Sequence, residues 1–237
     1  LFRSAKSFID LIYKVESVYD YYAFSDQDDW WYENKIQKAI EKIDDEVPSI
    51  YYSNPELVDE RLNSLGRRVY KKIPFDNFES VICGINAIGC SMLFNRKLYK
   101  VIRENEKPNN LDMHDSYITK VCVSIGGTIV FDNASYMKYR QHNSNVIGVK
   151  TSFEKKIKSL FEGIFLKNGI SISKQAEEIL RLYNVNISEQ NKKWLKKVSS
   201  YNHSFISRLS LAISPKLRYI SLRMKLLVRL SILLGNR

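Results

Sequence analysis

Apolar side chains recur with two different periods along the first 150 residues of the chain. Helical spacing predicts amphipathic helices over residues 4–16, 34–43, 95–104 and 114–125. Short apolar runs predict strands over residues 21–24, 49–52, 88–94, 128–132 and 135–139. Strands that alternate with helices are typical of an α/β fold, which is therefore the class predicted for this part of the chain.

Polar and turn-forming residues mark where several of these elements begin and end. Asn95 precedes a predicted helix and is expected to cap it, because its side chain accepts backbone N–H bonds. The pair Gly126-Gly127 is expected to end the helix before it. Residues 133–134 separate the last two strand-like runs, which favours a hairpin, whereas residues 53–80 carry few clear signals.

The chain changes character after residue 150. Helical periodicity dominates from Ser152 onward, with helices predicted over residues 152–166, 173–183, 188–199 and 203–234. Pro215 is expected to divide the last of these, since proline interrupts the helical hydrogen-bond ladder. We therefore predict a body of residues 1–150 followed by an all-helical region of residues 151–237.

Charge is distributed as unevenly as the predicted elements. The chain has 37 Lys and Arg residues against 26 Asp and Glu, a formal net charge of +11. Residues 190–237 hold eleven basic side chains and no acidic one, so residues 1–189 carry 26 of each sign. The positive excess therefore belongs to the C-terminal region alone. Nucleic-acid binding by this region is disfavoured, because Tyr219 is the one aromatic residue among the last thirty.

Residues 208–234 mix apolar and basic side chains in a pattern with two interpretations. Arg218, Lys225 and Arg229 fall in one sector of a helical wheel, which is typical of a basic helix on an anionic membrane surface, here formed by residues 208–237. The same pattern fits a helix that packs on the body and keeps its charges in water. Basic residues interrupt the apolar run, so a membrane-spanning helix is not expected.

Cysteine usage points to a reducing environment. Cys83, Cys90 and Cys122 are an odd number without a CxxC pair, so neither a disulfide framework nor a zinc site is indicated. Cys83 and Cys122 lie in apolar runs and are expected to be buried. We expect a cytoplasmic protein, and the tail leaves open a peripheral association with the inner face of the cell membrane.

An acidic segment directly follows the first predicted strand. Asp26, Asp28 and Asp29 lie within four residues, so their charges repel and a bound cation would stabilise them. Carboxylate oxygens suit Mg²⁺ or Mn²⁺, and ligands of open α/β sheets bind at the carboxyl ends of strands. An acidic loop that caps the next helix has equal weight from these residues alone.

Four segments, in order, resemble motifs of the family 2 glycosyltransferases, in particular the bacterial rhamnosyltransferase-like branch. They are FSDQDDWWYENKI at 24–36, IGCSMLFNRK at 88–97, Met113-His114-Asp115, and Tyr139-Arg140-Gln141-His142 with Asn145-Val146-Ile147-Gly148. The resemblance covers residues 3–150 and implies part of a glycosyltransferase-A domain, which is Rossmann-like. It further implies transfer from a nucleotide-sugar donor to a glycan or lipid-linked glycan acceptor in surface-polysaccharide synthesis, with a rhamnosyltransferase as the narrower expectation.

The resemblance also implies roles for individual residues. Asp26 and Asp28 would form the DxD pair that, with Asp29, holds the metal against the donor diphosphate. Asp115 would act as general base toward the acceptor hydroxyl, in a single displacement that inverts the anomeric carbon. His142 would reach the metal or the diphosphate. The expected substrate contacts are Trp30, Trp31, Gly89, Cys90, His114 and Arg140, the last as a phosphate partner.

Simpler interpretations accompany several of these roles. Asp115 is also a candidate helix cap, and His142 a candidate ordinary loop histidine. Trp30 and Trp31 would either stack on a sugar face or pack in the core. A phosphohydrolase built on the aspartates would need a nucleophile or a second metal site, and the sequence indicates neither.

The sequence departs from the family pattern at its beginning. The family's catalytic domain opens with a β-α-β half that binds the nucleotide base and ribose, and no counterpart precedes Leu1. We therefore expect a fragment or a truncated chain with little or no activity by itself. The competing hypothesis is a non-catalytic remnant or partner subunit that binds membrane or glycan.

Overall fold

A computed structural model describes residues 2–71, 77–84, 88–141, 170–219 and 222–235. These residues form a mixed α/β structure with two four-stranded sheets and a helical C-terminal region. The predicted α/β class is confirmed, and the arrangement is consistent with a partial Rossmann-like domain followed by helices. The boundary predicted at residue 150 and the helix predicted over 152–166 lie outside the described residues.

The first sheet has the strand order β1-β6-β3-β7. Its strands are β1 (Tyr21–Ala23), β3 (Ser49–Ser53), β6 (Met92–Asn95) and β7 (Thr128–Asp132). β3 lies inside this sheet, antiparallel to β6 and parallel to β7. All five residues of β3 are buried, as expected for a strand covered on both faces.

The second sheet has the strand order β2-β8-β4-β5. Its strands are β2 (Trp30–Trp31), β4 (Glu56–Val58), β5 (Ser64–Arg68) and β8 (Met137–Arg140). β8 runs antiparallel to β2 and parallel to β4. Because β2 follows the acidic segment directly, the pairing of β2 with β8 brings that segment close to Arg140.

The two sheets are connected by a pair of strands that cross together. β3 continues into β4, and β7 continues into β8, while each pair stays parallel. Asn54 joins the two crossings, since its N–H donates to the carbonyl of Ala134 at 3.1 Å and its side-chain amide to Asn133 at 2.9 Å. The predicted hairpin at residues 133–134 is therefore wrong: each of its strands pairs with a more distant partner instead.

The body contains five helices among its described residues. They are α1 (Phe2–Lys14), α2 (Lys35–Ile40), α3 (Phe78–Cys83), α4 (Arg96–Arg103) and α5 (His114–Ser124). Asn95 caps α4 as predicted, accepting the N–H of Leu98 at 3.1 Å. Gly126 follows α5 with a φ of +83°, a conformation that glycine adopts without strain. The strand predicted over 88–94 is partly wrong, because residues 89–91 form a 3₁₀ turn before β6.

The described part of the C-terminal region is helical, as predicted. Its helices are α6 (Ile172–Tyr183), α7 (Glu189–Ser199), α8 (Phe205–Ala212) and α9 (Leu222–Leu233). α6 and α7 pack on α3 and α5, so strands and C-terminal helices contribute to one hydrophobic core. Pro215 falls in the connection between α8 and α9, which confirms the predicted division. Arg218 lies in this connection too, so its predicted place on the same helical sector as Lys225 and Arg229 is wrong.

Candidate functional site

The acidic segment folds into a polar pocket where the chain leaves β1. Buried Phe24 anchors the segment in the core. Carboxylate oxygens of Asp26 and Asp29 and the sulfur of Cys90 all lie within 4.8 Å of one another. Cys90 comes from the 3₁₀ turn before β6, the neighbour of β1 in the sheet. Two of the four resembling segments therefore meet at this point.

Asp29 is the most strongly perturbed carboxylate of the pocket. Burial raises its pKa to about 6, and the charges of Asp26 and Asp28 add to this effect. The nearby Cys90 thiol and the N–H of Arg140 act in the opposite direction. Oδ1 accepts that N–H at 3.2 Å, whereas the buried Oδ2 has no hydrogen-bond partner within the described residues. A buried acceptor without a partner is costly, so this oxygen is a candidate ligand atom.

Arg140 holds the acidic segment in place. Its Nε donates to the backbone carbonyl of Asp28 at 2.8 Å, and its Nη1 donates to the carbonyl of Glu60 at 2.5 Å. The guanidinium thus bridges two loops through their backbones. The resemblance implies a phosphate contact for Arg140, and the structure places the residue beside the acidic pocket.

Lys35 is a member of the pocket that the sequence analysis missed. The side chain is only 4% exposed, and its Nζ donates to the carbonyl of Cys90 at 2.9 Å. Nζ also lies 3.1 Å from the ring centroid of Trp31, a cation–π contact. Burial lowers the pKa of Lys35 to about 7, while Cys90, Asp29 and Asp26 act against this effect. A lysine in the first turn of a helix that follows an acidic loop was the available sequence signal.

The donor atoms of the pocket fit a hard divalent cation. Asp26 and Asp29 offer carboxylate oxygens, which Mg²⁺ and Mn²⁺ prefer. Burial and the neighbouring Asp29 raise the pKa of the Cys90 thiol well above its ordinary value, so sulfur is a poor ligand here. Asp28 is not a member of this group. Its metal role stays a prediction, as does that of His142, which lies outside the described residues together with residues 145–148.

Asp115, the candidate base, lies at the start of α5 and is 6% exposed. Its Oδ2 accepts the N–H of Gly89 at 3.0 Å and its Oδ1 that of Ser116 at 2.7 Å. Burial raises the pKa of Asp115, and these hydrogen bonds oppose the increase. Met113 occupies the N-cap position, so the interpretation of Asp115 as the cap is wrong. Burial raises the pKa of Asp26, and the charges of Asp28 and then Asp115 add to this effect, so Asp115 and Asp26 share one electrostatic environment.

Gly89 allows the third resembling segment to approach the second. A Cβ at this position would lie 2.6 Å from Nε2 of His114 and 3.3 Å from Cβ of Asp115. Only glycine therefore lets this turn contact the start of α5 without displacement. Gly89 donates its N–H to Asp115 directly and precedes Cys90 in the chain. It thus connects the candidate base to the acidic pocket.

His114 packs beneath the site among aromatic rings. It stacks on Phe8, with ring centroids 4.3 Å apart, and meets Phe24 edge-on at 4.8 Å. Burial lowers its pKa to about 4, so the imidazole is neutral at physiological pH. Its Nδ1 has no hydrogen-bond partner among the described side chains. The substrate contact that the resemblance implies for His114 remains a prediction.

The two tryptophans of β2 differ in their surroundings. Trp30 is 55% exposed, whereas Trp31 is partly buried beside Leu57, Met137 and Tyr139. The indole N–H of Trp31 finds no acceptor in the described part of the chain. Trp31 therefore packs in the core and contacts Lys35, whereas the ring of Trp30 is accessible to a ligand.

Comparisons with known proteins agree with the resemblance in part. The chain is 28% identical over 164 residues to "dTDP-rhamnosyl transferase RfbG" of Shigella flexneri. The match covers 66% of this chain and 55% of that protein, so the chain spans about half the length of its curated relative. No protein-family model and no solved structure matches the chain. The comparison supports a relationship to glycosyltransferases, and it tests neither the metal nor the individual site residues.

Proposed function

We propose that this chain carries the metal- and acceptor-side part of an inverting glycosyltransferase of surface-polysaccharide assembly. The donor would be a nucleotide sugar, with dTDP-rhamnose as the first to test because the relative is named for it. The acceptor would be a hydroxyl of a glycan or lipid-linked glycan. The observation that carries the proposal is the Gly89–Cys90 turn, which touches the candidate base on one side and the acidic pocket on the other.

In the proposed reaction Asp115 draws the proton from the acceptor hydroxyl as its oxygen attacks the anomeric carbon. The new C–O bond forms while the bond from that carbon to the donor phosphate breaks. The nucleoside diphosphate then leaves with the bonding electron pair. Burial raises the pKa of Asp115 and so strengthens it as a base. The bonds from Gly89 and Ser116 fix the direction of the carboxylate.

The acidic pocket serves the departing diphosphate. Asp26 and Asp29 would hold Mn²⁺ or Mg²⁺, with Asp28 and His142 as further ligands that the resemblance implies. The bound ion would neutralise charge that develops on the leaving group. Arg140 holds the backbone of Asp28 and donates its own N–H to Asp29, while Lys35 holds the Cys90 carbonyl beside these residues. The exposed ring of Trp30 is proposed to stack on a sugar face.

Mn²⁺ binding tests the pocket independently of turnover, which matters because the chain spans about half of its relative. Titration calorimetry with MnCl₂ is expected to detect one site in the purified chain. Asp29→Asn is expected to weaken binding at least about tenfold, because it removes a charged ligand whose oxygen has no other partner. Asp10→Asn, a surface carboxylate paired with Lys107, is the matched control.

Sugar transfer is then measured with dTDP-rhamnose, Mn²⁺ and a lipid-linked glycan fraction, by mass spectrometry of the product. Transfer that depends on Mn²⁺ supports the proposal. If wild type and Asp29→Asn bind Mn²⁺ equally, the metal assignment is wrong. Mn²⁺ binding without any product from a panel of nucleotide sugars would favour the non-catalytic partner subunit instead.

A further inference from the structure

The last two helices expose large apolar side chains on one face each. In α8 and its C-terminal end these are Phe205, Ile206, Leu209 and Ile213, and in α9 they are Leu222, Leu226 and Leu230. Ile206 is 78% and Leu222 69% exposed. Large apolar residues exposed in a row, rather than singly, indicate a surface that meets a partner or a membrane. We refer to these seven residues as the apolar stripes.

The stripes are not a product of loose packing. In α9 the exposed leucines recur every fourth residue, while Val228 and Ile232 on the other side are fully buried. α8 shows the same division, with Leu211 and Ala212 buried. Both helices pack against each other and are anchored by one face. The second face of each helix therefore stays apolar although it is exposed.

Basic side chains accompany the stripes. After Glu189 the chain has no acidic residue. Among the described residues, two basic side chains of this region pair with a carboxylate, Lys192 with Glu189 and Lys216 with Glu79. Arg218 and Lys225 line an open groove of about 610 Å³ between the α8–α9 connection and α9. The region is thus both apolar and positively charged at its surface.

We propose that α8 and α9 bind the surface of an anionic lipid bilayer. The leucines of α9 would enter the boundary between headgroups and acyl chains, and Arg218 and Lys225 would contact lipid phosphates. Charge selects this occupant over a second copy of the chain, because two copies would bring like-charged surfaces together. α9 has 12 residues and is about 18 Å long, against roughly 30 Å for a hydrocarbon core. It would therefore lie in the plane of the membrane.

The structure changes which residues should matter for this contact. The sequence pattern emphasised a basic sector that included Arg229. In the structure Arg229 instead donates to the carbonyl of Ser214 at 3.1 Å and holds the connection against α9. The exposed leucines of α9 are therefore the residues whose removal should weaken binding most. The proposal does not depend on sugar transfer, since its readout is lipid binding alone.

Flotation with vesicles tests the proposal on the full 237-residue chain. Wild type is expected to float with vesicles of phosphatidylcholine and phosphatidylglycerol, and much less with phosphatidylcholine alone. The triple variant Leu222→Ser/Leu226→Ser/Leu230→Ser is expected to reduce the partition coefficient at least about tenfold. Val185→Ser removes an apolar side chain outside the stripes that is even more exposed, at 91%, and is expected to change nothing.

The other possible results of this experiment distinguish a lipid surface from a second copy of the chain as the partner of the apolar stripes. Circular dichroism and thermal unfolding must show that the triple variant is folded, and Leu226→Ser alone is the milder substitute if it is not. Unchanged flotation of the folded variant would overturn the proposal. So would a wild type that does not float but forms a dimer in sedimentation analysis, which the variant disrupts. That result would assign the stripes to a second copy of the chain.

Discussion

The acidic pocket and the C-terminal helices depart from the usual distribution of residues in opposite directions. The pocket and the neighbouring candidate base bury ionisable groups, with Lys35 and Asp115 at most 6% exposed, whereas α8 and α9 expose apolar side chains that are up to 78% accessible. Each arrangement lowers stability, since buried charges lose hydration and exposed apolar groups forgo burial. Two such costs in one chain indicate two surfaces with separate tasks. The first is proposed to act on a polar substrate, and the second to contact a lipid surface.

The largest effect that would separate the two regions is expected from Asp115→Asn. If the carboxylate is the general base, transfer should fall by about 10²–10⁴-fold, the usual contribution of such a group. The amide oxygen keeps an acceptor for the N–H of Gly89, whereas the amide nitrogen does not accept that of Ser116, so circular dichroism is used to verify the fold of the variant. Initial rates of transfer measure the effect. Binding to anionic vesicles should not change in this variant, and a parallel loss of both properties would contradict the separation.

His114 provides the next largest effect, in the pH dependence of stability. Burial lowers its pKa from 6.5 to about 4 in the folded chain. As the pH falls from 6.5 toward 4, the unfolded chain therefore binds a proton that the folded chain excludes. Stability is complete with respect to this group above pH 6.5, and the free energy of unfolding decreases between pH 6.5 and pH 4. The loss amounts to about 3 kcal/mol. The free energy of unfolding, measured in urea at several pH values in this range, should depend less steeply on pH in His114→Phe than in wild type.

A contrary result for His114 would also be informative. Equal slopes for wild type and His114→Phe would mean that other groups dominate acid unfolding. Glu178 and Asp132 are such groups, because hydrogen bonds from Arg181 and Lys42 help to lower their pKa values. Asp132→Asn provides the comparison, since this substitution should change the pH dependence of the free energy of unfolding whether or not His114 is present.

A smaller effect is expected from Gly89→Ala, which tests the connection between base and pocket. The added methyl group would approach Nε2 of His114 to 2.6 Å, and relief of this overlap should cost about 1–3 kcal/mol. Denaturant unfolding measures the loss. In the double variant Gly89→Ala/His114→Ala the imidazole is absent and leaves space for the methyl group. The loss of stability caused by alanine at 89 should therefore be smaller in the His114→Ala background. Additive costs would contradict the close contact.

The smallest effect on stability is expected at the apolar stripes. Serine at residues 222, 226 and 230 replaces side chains that are 69%, 60% and 44% exposed. Each substitution should therefore change the free energy of unfolding by only about 0.5 kcal/mol, with the largest change at the half-buried residue 230. Thermal unfolding without lipid measures this. A substantial loss of stability would show that the leucines pack in solution, and the contrast between the two regions would then disappear.

Local signals were sufficient to predict several elements. The spacing in α1, the cap by Asn95 and the stop at Gly126 each depend on neighbours within a few residues, and the structure confirms them. The resemblance likewise selected segments that the fold brings together, as shown by the contacts of Asp29 with Cys90 and Arg140.

Features that depend on distant partners were not predictable in this way. The runs around residues 133–134 look like a hairpin, because the parallel partners β3 and β4 lie about eighty residues earlier. Lys35 resembles an ordinary solvated helix position until Trp31 and the Cys90 carbonyl enclose it. The Gly89–His114 contact joins residues from different segments, so neither residue type alone indicated it.

Lys35 has one more consequence, for the charge of the pocket. Its amino group is held beside the acidic segment by a carbonyl and an indole ring that belong to the fold itself. Burial lowers its pKa to about 7, so near neutral pH the group exists in both its charged and its neutral form. The net charge of the pocket therefore changes with pH through this internal lysine as well as through Asp29, whose pKa burial raises to about 6. A cation would meet the least positive surroundings at the alkaline end of this range.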